Sequence, residues 1–313
     1  MKNFFDNYSY LRIAVLVLAV VLCTTSFINP PIALALGFLF AQFVGHPFIH
    51  KNHKATNILL KTSVVGLGFG MNFQNAIHAG QDGFLLTIVS IFTTLSLGYI
   101  IGRSLNISRK ASHLVASGTA ICGGSAIAAV GPMLDASEKD MSVALGTVFL
   151  LNSIALIIFP PIGHYFKLTQ HQFGLWSAIA IHDTSSVVGA ASTYGKEALQ
   201  TATTVKLARA LWIIPVALLT AFIFKSGNKK IKIPWFIGLF ILAMLFNSYF
   251  TNFVVYYKFI SDISKTGLTV TLFLIGAGLS VDKIKSVGWK PLALGVMLWL
   301  FISIVSLVTI RSI

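Results

Sequence analysis

Three short stretches of the chain carry side chains that could do chemistry. The first is Ser117-Gly118-Thr119-Ala120-Ile121-Cys122-Gly123-Gly124-Ser125-Ala126, set in an apolar run. Adjacent glycines flanked by Thr, Cys and Ser are poor helix formers, so a broken helix is predicted here. Unwound backbone at membrane depth is tolerated only where it faces protein or a water-filled cavity. Such a break offers free backbone N–H groups and the positive end of a half-helix dipole, which suit an anion. Thr119, Cys122, Gly123, Gly124 and Ser125 are the candidate substrate contacts. Tight helix packing through small residues is the competing explanation, but it requires only Gly and Ala.

The second stretch is Ile181-His182-Asp183-Thr184-Ser185-Ser186. Asp183 is the single acid that falls inside an apolar segment. A charge at the bilayer centre costs at least about 2.5–3.5 kcal/mol on insertion scales, so a functional role is the default reading. His182 titrates near neutral pH, and the pair is a candidate carrier of a coupling proton or ion. Thr184, Ser185 and Ser186 add hydroxyls that could contact a substrate. The alternative is structural: Asp183 accepts bonds from neighbouring hydroxyls or pairs with a lysine.

The third is Lys206 and Arg209, whose i, i+3 spacing puts them on one helix face. They could bind an anion as a pair or balance Asp183. Snorkelling to the membrane interface is the other reading. His46, His50 and His53 resemble a metal cluster by type but lie in a basic connection without a carboxylate. They read as a solvated face, and no metal is expected. Cys23 and Cys122 make no disulfide framework and fit no metal spacing. No nucleophile–base spacing points to an enzyme, and no cofactor is implied.

These stretches need elements to hold them, and composition says which. Of 313 residues, 56% are apolar and 10% charged, with a net charge of +14. A soluble domain carries about 25% charged residues. The balance excludes a soluble enzyme, a disordered chain and a nucleic-acid binder. It predicts an all-α polytopic membrane protein. Eleven apolar segments are expected near 12–28, 32–45, 57–73, 84–102, 111–131, 141–160, 172–193, 204–224, 233–250, 264–280 and 291–310. With the N-terminus in the cytoplasm, alternate connections gather most of the 23 Lys and Arg on the inside. The outer connections hold three, Lys139, Lys196 and Lys258. The C-terminus then lies outside, and the first segment is read as a retained helix rather than a cleaved leader.

Eleven is one more than twice five. That count fits an extra N-terminal helix (12–28) before two inverted five-helix halves, 32–160 and 172–310, in a single transporter domain. Gly68-Phe69-Gly70-Met71-Asn72 and Gly276-Ala277-Gly278-Leu279-Ser280 share a pattern that either a repeat or helix packing explains. No ATP-binding motif is present, so transport would run on gradients.

Gly118–Val130, Ile181-His182-Asp183 and Lys206-Leu207-Ala208-Arg209 resemble the YeiH-like family, carriers labelled as sulfate exporters. The similarity runs over nearly the whole chain, including Gly66–Met71 and Gly276–Ser280. It implies a bacterial inner-membrane carrier of about ten or eleven spans, distantly similar to carriers built from inverted repeats with crossed, broken helices. Members often follow the His-acid pair with Val-Ala-Gln, where this chain has Thr184-Ser185-Ser186. If that Gln contacts substrate, the substrate here differs.

The expectation is a gradient-driven secondary transporter, exporting a small anion such as sulfate or a related sulfur oxyanion. Its partners are that anion and the bilayer, not nucleic acid, and a homodimer is left open. An anion channel, or a cation/proton antiporter with Asp183 as ion ligand, are the alternatives.

Overall fold

The computed structural model describes residues 9–25, 27–224, 235–278 and 288–312, and their regular structure is entirely helical. The chain is a polytopic helical membrane protein. In order the helices are α1 (Ser9–Cys23), α2 (Pro30–Phe43), α3 (Ile49–Gly68), α4 (Phe73–Ser104), α5 (Arg109–Ala120), α6 (Gly124–Val130) and α7 (Glu138–Tyr165). There follow α8 (Gln170–Ala180), α9 (Thr184–Tyr194), α10 (Lys196–Ala210), α11 (Ile213–Ile223), α12 (Phe236–Tyr249), α13 (Val254–Gly278) and α14 (Trp289–Ser312). Each expected apolar segment falls on one of these helices or on a broken pair. The lysine-rich connection 225–232, Leu279-Ser280 and the side chains of His50 and His53 lie outside the described residues.

Five elements are long and apolar enough to cross a bilayer: α4, α7, α10 joined to α11, α13 and α14. The side chains of α4 show how such a helix is arranged. Leu85, Val89, Phe92 and Ile100 point outward, while Ala79, Gly83, Thr87, Thr94, Gly98 and Gly102 are buried. Lipid is as apolar as leucine, so large residues gain nothing by turning inward and small ones let helices approach closely.

Residues 1–75 and 235–283 form one compact unit containing α1, α2, α3, α12 and α13. A Cβ on Gly37 would run into the Phe273 carbonyl, and one on Gly276 into that of Leu34, so α2 and α13 touch backbone to backbone. Asn52 Nδ2 donates to the Leu274 carbonyl at 2.8 Å, and Asn247 Nδ2 to that of Met71 at 3.0 Å. Both amides satisfy carbonyls that apolar neighbours cannot. Cys23 is buried against Ala33, Phe40 and Phe273, which settles it among neighbouring helices rather than on lipid.

Residues 76–234 and 284–313 form the second unit, which holds all three stretches of interest. Here the structure differs from the expected run of spans. The segment 111–131 does not cross: α5 descends, the chain reverses at 121–123, and α6 returns. Ser108 Oγ donates to Asp140 Oδ1 at 3.2 Å and Lys110 Nζ to the Asp135 carbonyl at 2.7 Å, so both ends of this hairpin lie together.

The segment 172–193 does the same. Tyr194 donates its hydroxyl to the Leu168 carbonyl at 2.7 Å, and the Glu197 amide donates to Gln170 Oε1 at 3.0 Å. The 28-residue α7 connects the mouths of the two hairpins, which therefore enter the unit from opposite ends. One hairpin falls in each of the halves 32–160 and 172–310. The physical reason for the difference is that hydropathy counts apolar residues and not direction. A re-entrant pair of half-helices is as long and apolar as one span. With two crossings fewer, the expected side of the C-terminus is unchanged, whereas 132–140 and 163–172 are expected on the opposite faces.

That assignment is open to test. In a cysteine-free background, single cysteines at Arg109 and Lys139 should react with an impermeant thiol reagent from one face only. Cysteines at Lys167 and Lys196 should react from the other. Labelling of Arg109 and Lys139 positions from opposite faces would restore the span.

Candidate functional site

The hairpin tips are where the chemistry-bearing residues lie. At the first, Gly123 sits at φ +65°, a conformation that favours glycine. At the second, Ile181 and Asp183 are extended, and Asp183 caps α9. Its carboxylate accepts from the Ser185 amide at 3.1 Å and from the Ser185 hydroxyl. An aspartate at this position satisfies a helix-end donor that would otherwise be stranded. The tips meet: a Cβ on Gly123 would lie 3.5 Å from the His182 carbonyl oxygen and 3.6 Å from Asp183 Cα.

Asn152 of α7 holds the second tip open. Its Oδ1 accepts from the amides of His182 (3.0 Å) and Asp183 (3.3 Å), while its Nδ2 is buried without a partner. Sequence reasoning missed this residue. The signal was present, since Asn152 is the lone amide side chain in the segment 141–160.

Lys206 and Arg209 are both 0% exposed, which overturns the interface reading. Lys206 Nζ donates to the carbonyls of Ala178 (3.2 Å) and Ile181 (2.7 Å). Arg209 Nε donates to the Ala120 carbonyl at 2.8 Å. The i, i+3 pair on α10 thus caps the carboxyl ends of α8 and α5, the first arms of both hairpins. A helix C-terminus carries roughly half a negative charge, so each cation is placed where a broken helix wants one. Ion pairs among the described residues join His171 to Asp82 and Lys265 to Asp262, and neither involves this pair. Among the described residues no salt bridge joins Lys206 to Asp183: its ammonium donates to carbonyls, so any balance between the two charges acts without direct contact.

The remaining candidates sort by burial. Thr119 is wholly buried with its hydroxyl unpartnered, as is Ser117 beside it. Cys122, Gly123, Thr184, Ser185 and Ser186 are buried, Gly124 and Asp183 are partly open, and Ser125 is exposed, outside the buried set. His182 is 0% exposed, and neither ring nitrogen has a partner. Both outer nitrogens of the Arg209 guanidinium, Nη1 and Nη2, also lack one.

The sequence profile of a family described as "Conserved hypothetical protein 698" matches residues 10–295. Similar proteins are called UPF0324 membrane proteins. One from Bacteroides thetaiotaomicron is 56% identical over 90% of this chain and 86% of its own. Another from Porphyromonas gingivalis is 52% identical over 90% and 87%, and one from Geobacter sulfurreducens 42% over 97% and 98%. The chain belongs to the UPF0324 membrane protein family. No solved structure matches it. Its relatives' name and its own long apolar helices agree that this UPF0324 chain is embedded in the membrane.

Proposed function

We propose that this UPF0324 protein is a secondary carrier of a small anion and not an enzyme. The observation that carries the reading is Arg209, a fully buried guanidinium with Nη1 and Nη2 unpartnered at the crossing of two broken helices. Leaving a buried charge without a partner costs several kcal/mol (order of magnitude), whereas a charge-assisted pair to an oxyanion offsets it. The YeiH-like resemblance narrows the anion to sulfate or a related sulfur oxyanion, and favours export across a bacterial inner membrane.

Charge balance supports coupling. Lys206, Arg209 and the amino ends of α6 and α9, at roughly half a charge each, bring about three positive charges, while Asp183 and two helix C-termini at roughly half a charge each bring about two negative ones. The site as built carries about one positive charge. An incoming dianion reverses that charge, and one proton taken up on Asp183 or His182 restores neutrality. Asp183 is partly open, so a proton has a way in. Enclosure of His182, Lys206 and Arg209 argues against a channel, which needs a continuous lined pore. On the positive-inside trend the N-terminus is cytoplasmic and the C-terminus external.

Purified protein in liposomes tests the reading. Labelled sulfate should move faster when a pH gradient is imposed and should exchange against unlabelled sulfate inside. Cation-driven pH change without anion flux would replace the reading with an antiporter centred on Asp183.

A further inference from the structure

Arg209 joins α10 to α5, and the neighbouring α4 carries an unexplained buried hydroxyl. α4 packs antiparallel to α5 through glycines. Ser112 Oγ donates to the Gly98 carbonyl at 2.7 Å, a Cβ on Gly98 would meet Ala116, and one on Gly102 would meet Ser112. The register advances four residues per step on each helix, 102 against 112 and then 98 against 116. Continued one further step, that register would bring Thr94 to the level of Ala120. That is the residue whose carbonyl receives Arg209 Nε. α10 reaches α4 independently, with Val205 against Gly83. Just past α10, Trp212 stands edge-on to Phe92 at 6.3 Å.

Thr94 is 0% exposed, and its hydroxyl has no partner. Ser117, Thr119 and Thr204 share that lack, but other buried threonines do not. Thr147, Thr203, Thr220 and Thr271 are equally hidden, and each donates to a carbonyl four residues back at 2.7–2.9 Å. Thr94 and Thr119, by contrast, stand without a partner, as do Nη1 and Nη2 of Arg209.

We infer that Thr94, with Thr119, supplies the hydroxyl half of an oxyanion site whose charged half is the Arg209 guanidinium. Resting on the anion-carrier reading, this specifies its ligand as a compact oxyanion that accepts from the guanidinium and from hydroxyls on α4 and α5. Thr94 is then a binding residue on a helix outside both hairpins. An anion held from α4, α5 and α10 at once would fix the first hairpin against its two neighbours.

Thr94→Val is isosteric and removes only the hydroxyl. Deleting an unsatisfied buried polar group does not destabilise a protein, whereas losing a hydrogen bond to a charged ligand weakens binding by about tenfold or more. The melting temperature without ligand should therefore stay level or rise. The concentration of sodium sulfate needed for half-maximal thermal stabilisation should rise about tenfold, against sodium chloride at matched ionic strength. Thr94→Ser should restore binding, and Thr147→Val should behave as the unaltered protein does. Unchanged sulfate dependence in Thr94→Val, with sulfate stabilisation lost in Arg209→Gln, would make Thr94 a packing residue and overturn the inference. Absence of stabilisation by sulfate, thiosulfate or sulfite in the unaltered protein would instead sink the anion reading itself.

Discussion

Asp183→Asn should abolish pH-gradient-driven sulfate flux in liposomes while the protein stays folded and still binds the anion. Asparagine is as good an N-cap as aspartate, so α9 keeps its first-turn bond to the Ser185 amide. What is lost is the ability to gain and release a proton. Sulfate-for-sulfate exchange needs no net proton movement and should persist. Gradient-driven flux at the original rate would remove Asp183 from coupling. Loss of binding with the fold intact would make it an organiser of the site.

The second large effect separates two neighbouring cations. Lys206→Gln should lower stability far more than affinity, because the ammonium closes the α8 terminus through the carbonyls of Ala178 and Ile181. Two bonds from a charged donor are each worth about 1.5–3 kcal/mol, so a loss of about 3 kcal/mol in the thermal unfolding of purified protein is expected. Arg209→Gln keeps a donor for the Ala120 carbonyl but removes the fork of Nη1 and Nη2. Its sulfate affinity should fall by a hundredfold or more, on the order of 3 kcal/mol for a charge-assisted contact. Equal losses of affinity in the two variants would return both cations to one binding pair.

Much of this was readable in the sequence, for identifiable reasons. The break at Cys122–Gly124 was visible because a glycine pair is costly in a helix unless needed; at His182–Asp183 the intramembrane acid stood out, but the break beside it did not. The polar partner of the second break, Asn152, was equally visible but lacked a neighbour to give it meaning. Its role depends on α7 passing the tip, which is a tertiary fact. The direction of the chain after each break was not legible at all, since Gly123 could serve a kink or a reversal. Lys206 and Arg209 were legible as a pair on one helix face, but the interface stayed open as a second reading because hydropathy places them near a segment end. Only the reversal of the second hairpin brings that end of α10 beside the carbonyls it caps.

Arg209 lies 89 residues downstream of the carbonyl it caps. A ribosome has therefore completed the first hairpin long before the group that neutralises its buried end has been made. Until α10 enters the bilayer, that half-helix holds an open polar terminus in hydrocarbon, which is costly. The tip must wait at the membrane surface, or beside the insertion machinery, for its partner. Chains truncated between α7 and α10 should consequently be poor substrates for stable insertion and good ones for membrane proteases. Residues 109–134 are thus committed to the bilayer by a helix synthesised well after them.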